Sequence, residues 1–418
     1  MKRYIPRIAD KILDFKLNTK GAVWIKGPKW CGKSTTAKRF SKTCILMQDE
    51  ETKEQNIQLA KTSPSYFLKG ETPLLIDEWQ TIPFIWNQIR TEVDKRDEFG
   101  QFILTGSVTP NEDNLKDQHS GTGRITSMIM RPMSLFESEE SSGSISLKAL
   151  FDSGNIEPTK CDISLEDYAF YTARGGWPKS IGLDVSYALQ QAIDYYEGLV
   201  ESDISHDSKK NPERVRLLMR SYARNCSTQA NNTTIKNDMI VNDSEKLDED
   251  TIHQYVNSLK SLYVVEESEA WNPNVRSKTA IRTSNTRYFV DPSIACAALN
   301  LGPEGLMKDL RTFGLLFENL CIRDLRVYSE PLGGKVKHFR NGKGLESDAV
   351  ITLKDGTWAA IEIKLGNPDL IEEAAKNLIE LKNDVNKEPA FLMIMTTTNS
   401  AYRRDDGIWV VPAGCLGP

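Results

Sequence analysis

The sequence predicts an α/β protein in three successive parts, and three observations carry that reading. Short apolar strands alternate with helical stretches through the first 135 residues. A mainly helical stretch follows. A hairpin, a helix and a last strand then close the chain. With 418 residues the chain is too long for one ordinary core, and these signals divide it into residues 1–161, 162–290 and 291–418.

Composition narrows the classes. Hydrophobic residues make up 39% and charged residues 27%, the balance of a folded globular chain. The net charge of −5 supplies no global basic field for nucleic acid, although a local patch would suffice to bind it. No apolar run approaches the roughly 20 residues of a membrane helix, so no membrane partner is expected. The start, "MKRYIPRIADKILDFKL", reads as an amphipathic helix rather than a signal peptide. Seven scattered cysteines without a CxxC argue against a disulfide framework and for a reducing cytoplasm. His119, His206, His253 and His338 lie too far apart for zinc-site spacing.

In chain order, "AVWIKG", "TCILMQ", "PLLIDE" and "QFILTGS" are strand-like, with "STTAKRFS" and "IPFIWNQIRTEVDKR" as helices between them. This alternation implies a parallel sheet. The Ser-, Gly- and acid-rich stretch "FESEESSGSISLKALFDSGNIEPTKCD" reads as a linker. "ALQQAIDYYEGLVESDI" and "PERVRLLMRSYARNC" are amphipathic helices. "DTIHQYVNSLKSLYVVEE" is a helix running into a strand, with Thr251 and Gln254 fitting a capping box; helices followed by such a wing suggest a winged helix. "GLMKDLRTFGLLFENLCIRDLRVYSE" reads as one long helix. "ESDAVITL" and "TWAAIEIKL" flank Asp355-Gly356, a hairpin signal, before the helix "LIEEAAKNLIELKND" and the strand "AFLMIMTT".

Gly27-x-x-x-x-Gly32-Lys33-Ser34 follows the first strand and opens the first helix of the sheet, which is the full pattern of a phosphate-binding P-loop. The glycines let successive N–H groups face phosphate oxygens, and the helix points its positive end at the anion. The stretch Gly27, Pro28, Lys29, Trp30, Cys31, Gly32, Lys33, Ser34 and Thr35 is therefore the expected nucleotide contact, with ATP and Mg²⁺ as ligands. Lys33 would neutralise the β and γ phosphates and Ser34 would ligate Mg²⁺. Cys31 is either a small residue that fits or an activated thiol. "PLLIDEW" ends a strand in Asp77, expected to hold Mg²⁺, and Glu78, expected to polarise the attacking water. Thr105 or Ser107, ending "FILTGS", would sense the γ-phosphate. Arg124, ending "HSGTGR", would reach a phosphate in its own subunit or in the next one, or stand as a surface arginine. A role in the next subunit requires a homo-oligomer.

A second pattern lies near the carboxyl end. Glu318 falls on the long helix, Asp348 on the first hairpin strand, and Glu362 and Lys364 on one face of the second. Two carboxylates on adjacent strands, Asp348 and Glu362, would share a cation such as Mg²⁺, Lys364 would position or deprotonate a water, and Glu318 would add a ligand or hold a metal-bound water. The plain alternative is a Glu362–Lys364 surface salt bridge.

The chain resembles the prokaryotic AAA-type P-loop ATPases fused to a carboxyl-terminal domain of unknown function, itself similar to the PD-(D/E)xK nuclease fold. The resemblance runs through "YIPRIAD", "IKGPKWCGKST", "LLIDEWQ", "ILTGS", "HSGTGRI", "RPMSLFES", "GGWP", "NPNVRSKTAIRTSNTRYFVDPSIA" and "FGLLFENLCIRDLRVY", although "LESD" stands where that nuclease pattern is named for "PD". It implies a P-loop NTPase (AAA-like) parallel sheet, a winged-helix-like segment and a restriction-endonuclease-like α/β domain. The candidate recognition helix carries one basic residue, Lys260. Arg214, Arg216, Arg220 and Arg224 on the preceding helix, and Arg276, Lys278, Arg282 and Arg287 further on, would either track a nucleic-acid backbone or form solvated faces. Three functions follow: an ATPase controlling a metal-dependent nuclease on DNA or RNA, a nucleotide-gated regulatory or binding module with an inactive nuclease fold, and an ATPase that remodels an unidentified protein partner.

Overall fold

The computed structural model describes residues 4–108, 121–154, 156–204, 211–240, 249–274 and 283–418. They form two compact units. The first runs to Pro132 and includes Ser261–Tyr263; the second comprises Met133–Lys260 and Val264–Pro418.

The first unit is a parallel sheet of five strands, β1 (Ala22–Lys26), β2 (Thr43–Leu46), β3 (Leu74–Asp77), β4 (Phe102–Gly106) and β5 (Ile125–Ile129), in the order β2-β3-β4-β1-β5. Both faces are covered. Val23 and Ile25 of β1 pack with Leu13 of α1 (Ile8–Leu17) and Ala37 of α2 (Lys33–Phe40). Ala22 and Trp24 point the other way, into a core with Ala60 of α3 (Lys53–Thr62), Phe67 of α4 (Pro64–Phe67) and Ile89 of α5 (Ile85–Arg96). A strand buried on both faces has to be apolar throughout, which is why "AVWI" and "LLI" show no polar alternation.

In the second unit, short β6 (Ile145–Ser146) and α6 (Leu147–Asp152) precede β7 (Thr159–Lys160). The helices α7 (Leu165–Arg174), α8 (Val185–Gly198), α9 (Pro212–Arg224), α10 (Asn232–Ile240) and α11 (Glu249–Ser261) follow. Two antiparallel bridges, Val265–Phe289 and Ser268–Thr286, then stand where the sequence suggested a wing. Thr251 lies inside α11 rather than at its cap. Next come α12 (Pro292–Leu299), α13 (Pro303–Lys308) and α14 (Leu310–Ser329). The single long helix expected here is broken at Asp309, whose carboxylate accepts from Thr312 N at 3.1 Å and so caps α14.

The strands β8 (Lys335–Arg340), β9 (Glu346–Thr352), β10 (Trp358–Ile363), β11 (Leu392–Thr396), β12 (Ser400–Arg403) and β13 (Trp409–Pro412) join β7 in a seven-stranded sheet. Its order is β7-β12-β13-β11-β10-β9-β8, with α15 (Pro368–Asp384) packed on it. Asp355-Gly356 makes the β9–β10 turn, with Gly356 at φ +80°.

The stretch read as a linker is built into this unit. Ser141 Oγ donates to Leu416 O at 2.7 Å, and β6 pairs with the terminal β14 (Leu416–Gly417). Its two buried serines, Ser138 and Ser141, each donate to a backbone carbonyl, so their hydroxyls are buried without penalty. The second unit begins at Met133 and takes in residues 162–290, apart from Ser261–Tyr263, together with residues 291–418. A buried clasp holds the unit's interior: Arg323 pairs with Asp291 at 2.8 Å and with Asp324 at 2.7 Å, and Asp324 also accepts from Leu135 N at 3.1 Å. Burial, opposed by Arg323, pushes the Asp324 carboxyl up to about 6. Among the described residues no helix is long and apolar enough to cross a membrane.

Candidate functional site

The first candidate site lies where β1, β3 and β4 end together. The loop from Gly27 to Gly32 joins β1 to α2. At Gly27 φ is +146°, and a Cβ there would sit 2.1 Å from Met130 O, so only glycine fits. Lys33 is buried and folds back on its own loop, donating to Gly27 O at 2.9 Å and Pro28 O at 2.7 Å. Ser34 Oγ donates to Asp77 Oδ1 at 2.7 Å, so two hard oxygens stand side by side, a donor pair that fits Mg²⁺.

Thr105 lies beside Asp77 in the β3–β4 register, donates to the Asp77 carboxylate, and accepts from Glu78 N at 3.3 Å. Ser107 Oγ donates to Glu78 Oε1 at 3.1 Å, and Gln80 Nε2 holds the other Glu78 oxygen. Both hydroxyls expected at a γ-phosphate are thus engaged with the two carboxylates. Glu78 adopts φ +56°, an uncommon backbone for a residue with a side chain, fixed here by its neighbours.

Other loop residues divide by burial. Cys31 is buried, and its thiol donates to Met130 O at 3.2 Å; it packs as a small residue and offers the loop only its backbone. Lys29 is half-buried, and Trp30 and Thr35 are exposed. Arg124 precedes β5, its carbonyl accepting from Ala22 N at the start of β1. The P-loop follows the other end of β1, some 16 Å away at about 3.3 Å per residue. Arg124 instead pairs with Asp94 at 2.7 Å on the exposed surface. Reach to its own subunit's phosphate is ruled out by this placement. Arg7 was missed: its guanidinium donates to Cys31 O and Arg131 O, both at 2.8 Å, bracing the loop from behind. The only sequence signal was its place in "YIPRIAD".

The second constellation lies wholly within the second unit. The β9–β10 pairing runs to Ile361 opposite Ala349, one residue from Glu362 and Asp348. Lys364 Nζ reaches Glu362 at 2.8 Å and Asp348 at 3.0 Å, and Ile363 N donates to Asp348 Oδ2 at 2.8 Å. Glu318 on α14 accepts from Tyr288 O–H at 2.6 Å. All four expected residues, Glu318, Asp348, Glu362 and Lys364, are therefore gathered. Glu318, Asp348, Lys364 and Tyr288 line one cleft of about 350 Å³.

Burial, reinforced by the Asp348 charge, holds the Glu318 carboxyl well above its ordinary range. The same two causes push Glu362 up to about 8, with Lys364 opposing them. Burial works against the Lys364 charge, but Asp348 and Glu362 outweigh it and the ammonium is held. Asp348 and Glu362, expected as cation ligands, are ion-paired to Lys364, because buried carboxylates need a counter-charge. Among the described residues no three acidic, histidine or cysteine side chains are grouped to hold a metal. Glu362 Oε1 is nonetheless buried and, among the described residues, has no hydrogen-bond partner.

The expected basic track is largely spent on the protein itself. Arg216 pairs with Glu197 at 2.7 Å and Glu201 at 3.3 Å, Arg224 with Asp238 at 3.3 Å, and Lys260 with Glu267 at 2.9 Å. Arg287 is buried over the Tyr222 ring and donates to Ala230 O, so it is not presented to a nucleic-acid backbone. Arg220 is exposed and Arg214 half-buried. Arg276, Lys278 and Arg282, like His119 and His206, lie outside the described residues. All seven cysteines are free thiols.

Among solved structures, the Walker-type ATPase PABY2304 of Pyrococcus abyssi is similar at 17% identity over 71% of this chain and 96% of that chain, with a TM-score of 0.44. Protein VC1899 from Vibrio cholerae is similar at 10% identity over 94% of each chain, with a TM-score of 0.19. No curated protein matches. Family models cover the chain in three pieces. Residues 165–305 match a domain of unknown function (DUF8612) and residues 313–416 another (DUF4143). Residues 19–139 match an AAA domain, and this is the part of the chain that carries the glycine loop, Lys33 and the Asp77–Glu78 pair at the ends of its parallel strands.

Proposed function

We propose that the protein binds and hydrolyses ATP at the loop of residues 27–35. The observation that carries this is the hydrogen-bonded array linking Ser34, Asp77, Thr105, Glu78 and Ser107 at the ends of three strands. Backbone N–H groups of the loop receive the phosphates, and Lys33 exchanges two carbonyl partners for phosphate oxygens. Ser34 and Asp77 would hold Mg²⁺, which would supply charge to offset the phosphates. Glu78, held by Ser107 and Gln80, orients the attacking water and draws its proton. Thr105 keeps the Asp77 carboxylate in place, and Thr105 or Ser107 reads the γ-phosphate. Arg124 acts, if on a phosphate, on that of a second copy. Release of phosphate from ATP tests this, with loss expected in Lys33→Ala and in Glu78→Gln; equal turnover in all three proteins overturns it.

We further infer that ATP turnover is coupled to the Glu318–Asp348–Glu362–Lys364 cleft, which binds or cleaves nucleic acid. The unpartnered buried Glu362 Oε1 favours this reading, since such an oxygen demands a proton or a cation. A divalent cation held by Asp348 and Glu362 would supply charge stabilisation at a phosphodiester, with Lys364 positioning the water. A restriction-endonuclease-like sheet and a winged-helix-like segment belong to the same proposal. Cleavage of circular and linear DNA with Mg²⁺ or Mn²⁺, lost in Asp348→Ala, is the expected result. Salt-sensitive binding without cleavage would instead favour a regulatory module with an inactive nuclease fold, which the ion-paired arginines of α9 leave open. Neither binding nor cleavage, with ATP turnover raised by a protein, would favour a remodelling ATPase.

A further inference from the structure

The cleft lined by Glu318, Asp348 and Lys364 is also lined by His338, which the chemistry proposed above leaves idle. His338 sits in β8 where the pairing with β9 slips between Lys337 and Phe339. Such a bulge frees a residue from strict strand alternation and re-aims its side chain. The backbone is pinned by a neighbouring segment: His338 N donates to Glu269 O at 3.0 Å, and His338 O accepts from Trp271 N at 2.6 Å. The ring is pinned too, with Nδ1 at 3.0 Å from Ser268 O. A carbonyl only accepts, so Nδ1 carries the hydrogen. Burial lowers the imidazole pKa against the Ser268 bond, and the Arg340 charge adds to the lowering, so the ring is neutral. Nε2 is then a lone-pair acceptor. It is buried and, among the described residues, has no hydrogen-bond partner. That is a cost which an O–H or N–H entering the cleft would remove.

The rest of the wall points to the donor. Phosphodiester oxygens have no hydrogen to give, so the donor on a nucleic acid is a sugar hydroxyl or a base N–H. Proteins hold the bases of a single strand by stacking them on aromatic faces. The aromatic liners Tyr288 and Phe339 are both buried, Phe339 against Trp271, and neither is open to a base. Ser227, Thr228, Gln229 and Thr286 give the wall polar groups instead, which suits a sugar–phosphate backbone. Arg340 adds a cation. Its side chain is half-exposed and stands 3.8 Å from Glu346, beyond hydrogen-bond distance, so it is able to turn to a phosphate.

We infer that the cleft selects ribose over deoxyribose, with His338 Nε2 accepting from a 2′-hydroxyl and Arg340 holding the adjoining phosphate. The inference rests on the reading of this cleft as a nucleic-acid site, and it names RNA as the preferred substrate. The 2′-hydroxyl is the group that marks RNA off from DNA at every sugar. DNA enters the same cleft with the Nε2 bond unmade and binds more weakly.

Fluorescence anisotropy with the full chain tests this. The ligands are oligoriboadenylate, oligodeoxyadenylate and the 2′-fluoro analogue, each about 12 nucleotides long. Ca²⁺ replaces Mg²⁺, and a gel confirms that the oligomers stay intact. The three share their bases and phosphates and differ only at the 2′ position. The ribo form should bind about 5- to 10-fold more tightly than the other two, the worth of one hydrogen bond. His338→Phe, which lacks the acceptor, should bring all three to the weaker affinity. His338→Gln, whose amide keeps a donor for Ser268 O and an acceptor for the ligand, should retain part of the preference. Arg340→Ala should weaken all three alike. The ratio between oligomers does not move when a variant is merely less stable, and the fluoro analogue on the unaltered chain decides the matter if His338→Phe fails to fold. Equal binding of the ribo and fluoro forms, or a ribo preference that survives in His338→Phe, overturns the inference and leaves the cleft reading standing. Binding of none of the three overturns both.

Discussion

Two sites in this molecule join a lysine to a pair of carboxylates, and they are wired in opposite ways. At the P-loop, Lys33 rests on backbone carbonyls while Asp77 and Glu78 are held by hydroxyls. Among the described residues no ion pair joins Lys33 to Asp77 or Glu78, so a polyanion at the loop would meet an ammonium with no counter-charge to give up. In the cleft, Lys364 is bound directly to both Asp348 and Glu362, inside a wall that raises the Glu318 and Glu362 carboxyls. The first arrangement stores its electrostatics for a ligand. The second spends them on itself, and any cation has to compete with an ammonium for the same oxygens.

The comparison can be broken most sharply at the first site. Glu78→Gln should lower ATP turnover about 100-fold or more while nucleotide binding persists, because only the water-activating base is lost. Lys33→Ala should remove binding as well, read by fluorescence of a nucleotide analogue beside phosphate release. At the second site, Lys364→Met leaves carboxylates buried without their counter-charge and should cost about 3–5 kcal/mol in urea unfolding. The clasp gives a control of similar kind: Asp324→Ala leaves Arg323 with Asp291 alone, strands the Leu135 N–H, and should cost about 3 kcal/mol by the same measurement.

The pH dependence sharpens the contrast. Glu362 ionises near 4.5 in the unfolded chain and near 8 in the fold, so between these values the folded state binds more protons. Its contribution to stability is therefore complete below about 4.5 and is lost as pH rises through about 8. Glu362→Gln should flatten that slope in urea titrations at pH 5 and pH 8, and Mn²⁺ that binds at the carboxylates should flatten it too. The smallest effect is expected at Arg124→Ala: its pair with Asp94 is fully exposed, so thermal unfolding should not move. A fall in ATP turnover in that variant, restored by mixing with the Glu78→Gln protein, would assign it to a neighbouring subunit.

The P-loop was legible because its chemistry is local. A glycine at φ +146°, a lysine and a serine must sit at fixed spacing at a helix start, and a carboxylate pair must end a buried strand. The coming together of Glu318, Asp348, Glu362 and Lys364 was legible through strand alternation and the Asp355-Gly356 turn. The break at Asp309 was hidden because apolar periodicity continues across it. The integration of residues 136–162 was hidden because serines that satisfy distant carbonyls look, in sequence, like serines in a linker. β13 was not anticipated, although Asp406-Gly407, with Gly407 at φ +86°, marks a turn just before its four residues.

By itself, then, the sequence determined the α/β character, the phosphate loop with Asp77 and Glu78, and the residues of the second constellation, since each depends on spacing within one or two elements. Only the tertiary structure decided that Arg124 stands at the wrong end of β1, that Arg287 is buried, and that Arg7 braces the loop. Each of those depends on which side chains long-range strand pairing brings together, and the pattern of residues along one strand or helix carries no record of its distant neighbours.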